Sequence, residues 1–294
     1  MPDFKIFSDS SCDLPESWIA ERDITLIYYY VTVNGGLEYL REYKEINTRK
    51  FYDLLRNDHI MPKTSLPPIQ DYLDAFRPAL QAGKDVLCIC LTSKFSGSFQ
   101  SAYNAYNILA DEFPNRVIKV IDSKQCTIGQ GILVLEAGKM RDQGYTMDEI
   151  AETLEKMSEG SKVIFTVDSL EYLQRGGRIG KVTAFAGALL NIKPIIIMFD
   201  GELNPIAKVR GRQKAMREIV SMTVKEIGDK KDDYYIATLH SDCLDDLKKV
   251  DRDLETRLGR GIDYTDMVVG ATIGTHIGPT VVGIGYIPKA ESFK

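Results

Sequence analysis

The sequence of 294 residues contains little cysteine, histidine or tryptophan. Its cysteines are odd in number, widely scattered and without a C-x-x-C pair, which argues against a disulfide framework and against a zinc site. They are Cys12, Cys88, Cys90, Cys126 and Cys243. No two of the three histidines have the spacing of metal ligands, so we expect no metal.

Long apolar runs are also missing. The longest, near residues 24–33 and 192–199, fall far short of the roughly 20 residues needed to span a bilayer. The first ten residues include Asp3 and lack the apolar segment of a signal peptide. A net charge of −5 gives the chain no overall attraction for nucleic acid. We therefore expect a cytoplasmic protein with no nucleic-acid partner and no stable membrane insertion.

The composition, 44% hydrophobic and 27% charged, is typical of a globular protein with a substantial core. In the first half, strand-like runs alternate with helical patterns over 69–82 and 98–113 and with a capping box that begins at Thr146. This alternation predicts βαβ units around a parallel sheet. The predicted strands are 4–8, 24–33, 86–91, 117–121 and 163–167.

The second half has a different pattern. Residues 193–199 and 203–209 flank the turn residues Asp200-Gly201, which predicts a β-hairpin. The elements expected after it are a helix over 213–227, a strand over 234–239, a helix over 244–258 and a glycine-rich end. Hairpins combined with helices favour a mixed or antiparallel sheet. We therefore expect two domains, an N-terminal α/β/α domain over 1–160 and a C-terminal mixed α/β domain over 161–294.

Three polar segments lie at the ends of predicted elements, with the sequences SDSSCDLP at 8–15, KTSLPP at 63–68 and LTSKFSGSFQSA at 91–102. In the third, Ser96 and Ser98 lie at the start of a predicted helix, where free N–H groups favour an anion. Gly97 allows a ligand to approach the backbone. Helix capping by Ser96 is an equally good interpretation, and the Ser/Asp cluster at 8–15 is typical of turns.

Two enzyme classes are alternatives. Ser96 could be the nucleophile of a hydrolase with His276 or His240, but the G-x-S-x-G elbow is absent because Lys94 occupies the position of its first glycine. A sugar-phosphate or other anion-binding enzyme on the same scaffold is the second, although no P-loop is present. His276 lies in a glycine-flanked turn, whereas His59 is expected at the surface.

Two basic stretches stand out in this acidic chain, Arg175-Gly176-Gly177-Arg178 and residues 208–214. A solvated surface is the ordinary interpretation. A docking surface for an acidic partner, or a rim that faces a phosphate, is the functional one.

The order and spacing of several sequence blocks resemble the DegV family of bacterial fatty-acid-binding proteins, which includes the FakB subunits of fatty acid kinase. The resemblance covers nearly the whole chain. The blocks are SDSSCDLP at 8–15, TSLP at 64–67, SGSFQSA at 96–102, IDSKQCTIGQGILVLEA at 121–137, LEYLQRGGRIGK at 170–181, LLNIKPIIIMFDGEL at 189–203, KVRGRQKA at 208–215 and IGTHIGP at 273–279.

This resemblance implies a long-chain fatty acid of the palmitate, oleate or stearate class in an apolar tunnel between two α/β domains. It implies that Thr64 and Ser96 hold the carboxylate. The wider carboxylate site would be Thr64, Ser65, Ser96, Gly97, Ser98 and His276. Less directly, it places four arginines near the head group or at a docking face, namely Arg175, Arg178, Arg210 and Arg212.

The resemblance also implies that the chain is a carrier rather than an enzyme. A separate ATP-dependent kinase would phosphorylate the bound carboxylate, and the acyl phosphate would pass to phospholipid synthesis. The chain would then need no cofactor beyond its fatty-acid ligand. The missing nucleotide-binding motif agrees with that expectation.

Overall fold

The computed structural model describes residues 3–33, 38–57, 60–185 and 191–293. His59 and the first two residues of the 189–203 block lie outside the described residues. Among the helices of the described part, none combines the length and apolarity needed to cross a bilayer.

The strands of the described residues are β1 (Phe4–Asp9), β2 (Ile24–Ile27), β3 (Tyr30–Thr32), β4 (Tyr39–Arg41), β5 (Lys63–Ser65), β6 (Asp85–Cys90), β7 (Ile118–Asp122), β8 (Lys162–Thr166), β9 (Ile192–Phe199), β10 (Glu202–Arg210), β11 (Tyr234–His240), β12 (Tyr264–Val268) and β13 (Val282–Pro288). The helices are α1 (Glu16–Glu21), α2 (Thr48–Asn57), α3 (Ile69–Gln81), α4 (Ser98–Glu112), α5 (Thr127–Asp142), α6 (Met147–Gly160), α7 (Glu171–Arg175), α8 (Arg212–Ile227), α9 (Leu244–Leu258) and α10 (Ala271–Ile277).

The first sheet is parallel and has the strand order β2-β1-β6-β7. Its central strand β1 places Ile6 opposite Ile24 on one side and Leu87 on the other. Helices α3 and α4 pack on one face and α5 on the other. A parallel sheet covered on both faces confirms the predicted α/β class for the first half.

The second sheet is mixed, with the order β10-β9-β8-β13-β11-β12. The β9–β10 hairpin is present as predicted, and only the β11–β12 pair is parallel. Helices α8 and α9 cover the outer face. The glycine-rich end, to which we assigned no element, supplies α10 and the interior strand β13. The predicted mixed sheet is confirmed.

A small antiparallel sheet with the order β4-β3-β5 corrects one prediction. The apolar run 24–33 was expected to form one strand, but it forms β2 in the first sheet and β3 in this one. The chain leaves the first sheet at residues 28–29, and β3 then pairs Val31 with Thr64 of β5. The short strand therefore positions Thr64 of the TSLP block.

Helix α5 lies between the two large sheets and is buried over most of its length. One apolar cluster joins Ile6 and Leu87 of the first sheet, Ile132 of α5 and Phe165 of the second sheet. The boundary predicted near Gly160 stays a prediction, since this core is continuous across it. At the periphery, Trp18 of α1 packs against a tyrosine of β12, with ring centroids 5.5 Å apart.

Candidate functional site

An internal cavity of about 240 Å³ lies between the two sheets. Most of its wall is apolar and comes from both halves of the chain: Leu66, Leu91, Phe95, Cys126, Val163, Phe165, Leu173, Met198, Leu203, Leu239, Ile273, Ile277 and Val281. Its polar lining consists of Tyr29, Thr64, Ser65, Ser96, Thr127, Arg178, Thr272 and His276. Such a cavity suits a long apolar ligand with one polar end.

Thr64 and His276 form one side of the polar lining. Thr64 Oγ1 lies 2.9 Å from His276 Nε2. Burial, assisted by the positive charge of Arg178, lowers the pKa of His276 to about 4. The imidazole is therefore neutral near pH 7, and the pair offers hydrogen-bonding groups without adding a positive charge.

The His276 ring is held by a close approach of the backbone. A Cβ atom on Gly176 would lie 2.2 Å from Nδ1 of the ring, so only glycine fits at this position. At the C-terminal end of α10, Gly278 has a φ of +77° and leaves room for the Tyr172 ring. The first glycine of the Arg-Gly-Gly-Arg stretch thus sets the position of the imidazole.

Ser96 lies on the other side of the polar lining, in the loop that joins β6 to α4. Its Oγ accepts hydrogen bonds from the Tyr29 hydroxyl at 2.7 Å and from the Ser98 N–H at 3.2 Å. A Cβ on Gly97 would be 3.2 Å from a methyl group of Leu66, so this loop lies directly against the TSLP block. Ser96 therefore lines the cavity close to the segment that carries Thr64.

The Ser98 hydroxyl faces away from the cavity. It donates to Asp9 Oδ2 at 2.7 Å and lies 2.6 Å from the Tyr72 hydroxyl. Asp9 also accepts from the Leu91 N–H and from Gln130 Nε2, both at 2.9 Å. Burial raises the pKa of Asp9, while these donors oppose the shift. The Ser/Asp segment at 8–15 therefore holds the β6–α4 loop on the side away from the cavity.

Glu42 connects the serine side of the site with the histidine side. Its carboxylate accepts from Ser10 Oγ, and from both the N–H and the hydroxyl of Thr272, each at 2.7 Å. Thr272 lies in the first turn of α10, where a carboxylate is favoured, and α10 carries His276. Ser10 Oγ in turn accepts from the Tyr29 N–H at 3.0 Å. One buried side chain thus holds elements of both halves.

The four predicted arginines occupy different places. Arg178 lines the cavity, and its guanidinium donates to the carbonyls of Phe95 at 3.2 Å and of Gly176 at 2.7 Å. Arg175 lines an adjacent surface depression of about 460 Å³, which shares Thr64, Arg178 and His276 with the cavity. The remaining two are placed elsewhere: Arg210 is exposed at the end of β10, and Arg212 is ion-paired with Asp246 at 3.0 Å.

The hydrolase alternative requires an imidazole beside Ser96. In the described residues, Ser96 Oγ is hydrogen-bonded to Tyr29 and Ser98, whereas His276 pairs with Thr64. His240 is buried at the end of β11, where its Nδ1 accepts from the Cys243 N–H at 3.1 Å. The geometry therefore gives Ser96 no general base among the described histidines.

Among the predicted residues, the structure brings Thr64, Ser65, Ser96, Arg178 and His276 to one cavity. Within the described chain, no group of three or more acidic, cysteine or histidine residues could hold a metal ion, and the five cysteines are free.

Sequence reasoning missed Tyr29, Glu42 and Thr272. The position of Asp9 partly indicated a role near the site, because Asp9 ends a strand of a parallel sheet, where ligand sites form. The contacts of Tyr29 and Glu42 join segments far apart in sequence, so no local pattern marked them.

The fold and the cavity define an α/β protein built around an internal, largely apolar chamber with hydroxyl groups in its lining. Residues 3–289 match the model of the DegV family, which is described as a family of uncharacterised proteins. The chain belongs to the DegV family.

Relatives with the same extent are known. A DegV domain-containing protein of Caldanaerobacter subterraneus is 34% identical, over 98% of this chain and 100% of that protein. A stearic-acid-binding protein from Eubacterium ventriosum has a crystal structure with a TM-score of 0.91 and 32% identity, covering 98% of this chain and 99% of that one. A DegV family protein from Thermus thermophilus, described for its fatty-acid binding, has a TM-score of 0.88 and 28% identity over 98% and 100% of the two chains.

Proposed function

We propose that this protein binds one long-chain fatty acid and presents it to a separate ATP-dependent kinase. The observation that carries the proposal is an apolar cavity whose polar lining contains two hydroxyl groups held in place, Thr64 by His276 and Ser96 by Tyr29. The similarity to the stearic-acid-binding protein from Eubacterium ventriosum and to the fatty-acid-binding protein from Thermus thermophilus supports the choice of ligand.

The apolar wall accounts for retention of the acyl chain. Burial of a methylene group is worth about 0.8 kcal/mol, so a chain of around sixteen carbons gains on the order of 10 kcal/mol. Part of this gain is lost to the entropy of association and of ordering the chain. We expect the remainder to retain the ligand.

The polar lining accounts for the head group. A buried carboxylate needs hydrogen-bond donors, and in our proposal the hydroxyls of Thr64 and Ser96 supply them, with Ser65 beside them. Gly97 allows the close approach of Leu66 to this loop, while Ser98 anchors the loop to Asp9 on the side away from the cavity. His276 orients Thr64 and remains neutral.

In our proposal, the head group lies where a partner kinase can reach it. Thr64 and His276 border both the cavity and the open depression lined by Arg175 and Lys63. A phosphoryl donor placed there by a partner protein would meet cationic side chains that favour phosphate. In this proposal the acyl phosphate then enters phospholipid synthesis, and the chain itself carries out no chemical step.

Mass spectrometry of solvent extracts from denatured protein tests the proposal. We expect one long-chain fatty acid per chain, and after delipidation we expect rebinding of palmitate or oleate. Extracts without fatty acid, together with no binding of either added acid, would refute the carrier function.

The kinase step is tested separately with delipidated protein reloaded with radiolabelled palmitate and a bacterial fatty acid kinase. We expect ATP-dependent formation of acyl phosphate, trapped as the hydroxamate. Binding of palmitate without any kinase-dependent product would leave a fatty-acid-binding protein and remove the kinase partnership.

The hydrolase alternative has its own assay. Turnover of p-nitrophenyl esters that disappears in Ser96→Ala, or labelling of Ser96 by a fluorophosphonate, would favour it. We expect neither, because Ser96 pairs with Tyr29 and not with an imidazole.

A further inference from the structure

Tyr29 is a buried residue of the cavity wall whose backbone is fixed on both sides. The residue is 2% exposed. Its N–H donates to Ser10 Oγ at 3.0 Å, and its carbonyl accepts from the Glu42 N–H at 3.0 Å. The phenol therefore has a defined position, and its hydroxyl reaches Ser96 Oγ at 2.7 Å.

The hydrogen bonds at Ser96 fix the direction of its own proton. A serine hydroxyl has two acceptor lone pairs and one proton. Tyr29 and the Ser98 N–H both donate to this oxygen, so both lone pairs are used. Burial raises the pKa of the Tyr29 phenol well above its usual value, so the phenol keeps its proton at all physiological pH values. Ser96 is left as a donor only.

We propose that Tyr29 sets the head-group specificity of the cavity: it holds Ser96 as a hydrogen-bond donor, so that an ionised carboxylate is selected over a neutral head group of equal chain length. This inference rests on the proposed fatty-acid-binding function. A carboxylate is purely an acceptor and matches a donor. The hydroxyl of a fatty alcohol also brings a proton, for which Ser96 has no free lone pair.

Removal of the Tyr29 hydroxyl frees one lone pair on Ser96 and lets its hydroxyl rotate. In Tyr29→Phe we expect the affinity for palmitate to fall about fivefold, the usual worth of one hydrogen bond. The affinity for 1-hexadecanol should stay the same or rise. The ratio of acid to alcohol affinity should therefore fall at least about fivefold, a change that a merely structural role would not produce.

Competition binding measures this ratio. Delipidated protein carrying a fluorescent fatty-acid probe is titrated with palmitate and, separately, with 1-hexadecanol. Tyr30→Phe is a matched control, because that hydroxyl donates to Asp71 at 2.8 Å and the residue does not line the cavity. An unchanged ratio in Tyr29→Phe would overturn the inference. Failure of the wild-type protein to bind palmitate would instead refute the proposed function.

A double-mutant cycle with Ser96→Ala separates two routes of action. If Tyr29 acts through Ser96, then Tyr29→Phe causes no further loss of palmitate affinity in the Ser96→Ala background. A loss that persists there would mean that the phenol contacts the ligand directly, which contradicts the proposed role. Melting temperatures of all variants establish that the comparison is made between folded proteins.

Discussion

Replacement of Thr64 by valine tests the head-group assignment directly. The substitution removes the hydroxyl that lies 2.9 Å from His276 Nε2 and keeps the shape of the side chain. Valine is β-branched and suits the short strand β5, so the fold should be retained. Loss of a hydrogen bond to a charged ligand group costs about 1.5–3 kcal/mol. We therefore expect the Kd for palmitate to rise roughly 10- to 150-fold.

Isothermal titration of delipidated protein with palmitate gives this Kd. Thr25→Val is the matched control, because Thr25 is also a half-buried strand residue but does not line the cavity. Its affinity for palmitate should equal that of the wild type. A Kd within twofold of wild type for Thr64→Val, with an unchanged melting temperature, would show that Thr64 does not hold the carboxylate.

Three further predictions concern the surroundings of the site. Burial raises the pKa of Asp13 well above its ordinary value of about 4, so the folded state loses stability as the pH rises from about 4 through the raised pKa. Asp13→Asn, at a φ of 52° that asparagine tolerates, should become more stable than wild type as the pH rises, and a melting-temperature difference that is constant with pH would contradict this. Gly176→Ala should displace His276 and weaken palmitate binding, whereas Gly261→Ala, whose added Cβ would meet its nearest atom at 3.9 Å, should leave affinity unchanged; equal affinities in both variants would refute the steric argument. Arg178→Gln should raise the pKa of His276 from about 4, because a repelling charge is removed, and an NMR titration of the imidazole that shows no rise would exclude that repulsion.

Elements with strong periodicity were predictable from the sequence. Helices α3, α8 and α9 have one apolar face each, and the β9–β10 hairpin carried its turn residues. Helix α5 was not predicted, because it is buried on nearly all sides between the two sheets. Such a helix has no polar stripe and therefore no amphipathic period to detect.

The candidate site was predictable only where a local block marked it. Ser96 and His276 were singled out from local patterns, and the family resemblance assigned both of them, with Thr64, to the carboxylate site; all three line the cavity. Glu42 contacts Thr272 across 230 positions of the sequence, and a single sequence contains no sign of such a pairing. The short strand β5 was missed for a similar reason, since only its pairing with β3 makes it a strand.

The burial of α5 between the sheets also governs how the protein should unfold. Because the same apolar cluster contains residues of both sheets, neither half retains a complete core without the other, and heating should give one cooperative transition. Trp18, the only tryptophan, reports on that event from the junction of α1 and β12. Its fluorescence should therefore follow the melting of the whole molecule, and a ligand bound in the cavity should shift that single transition upward.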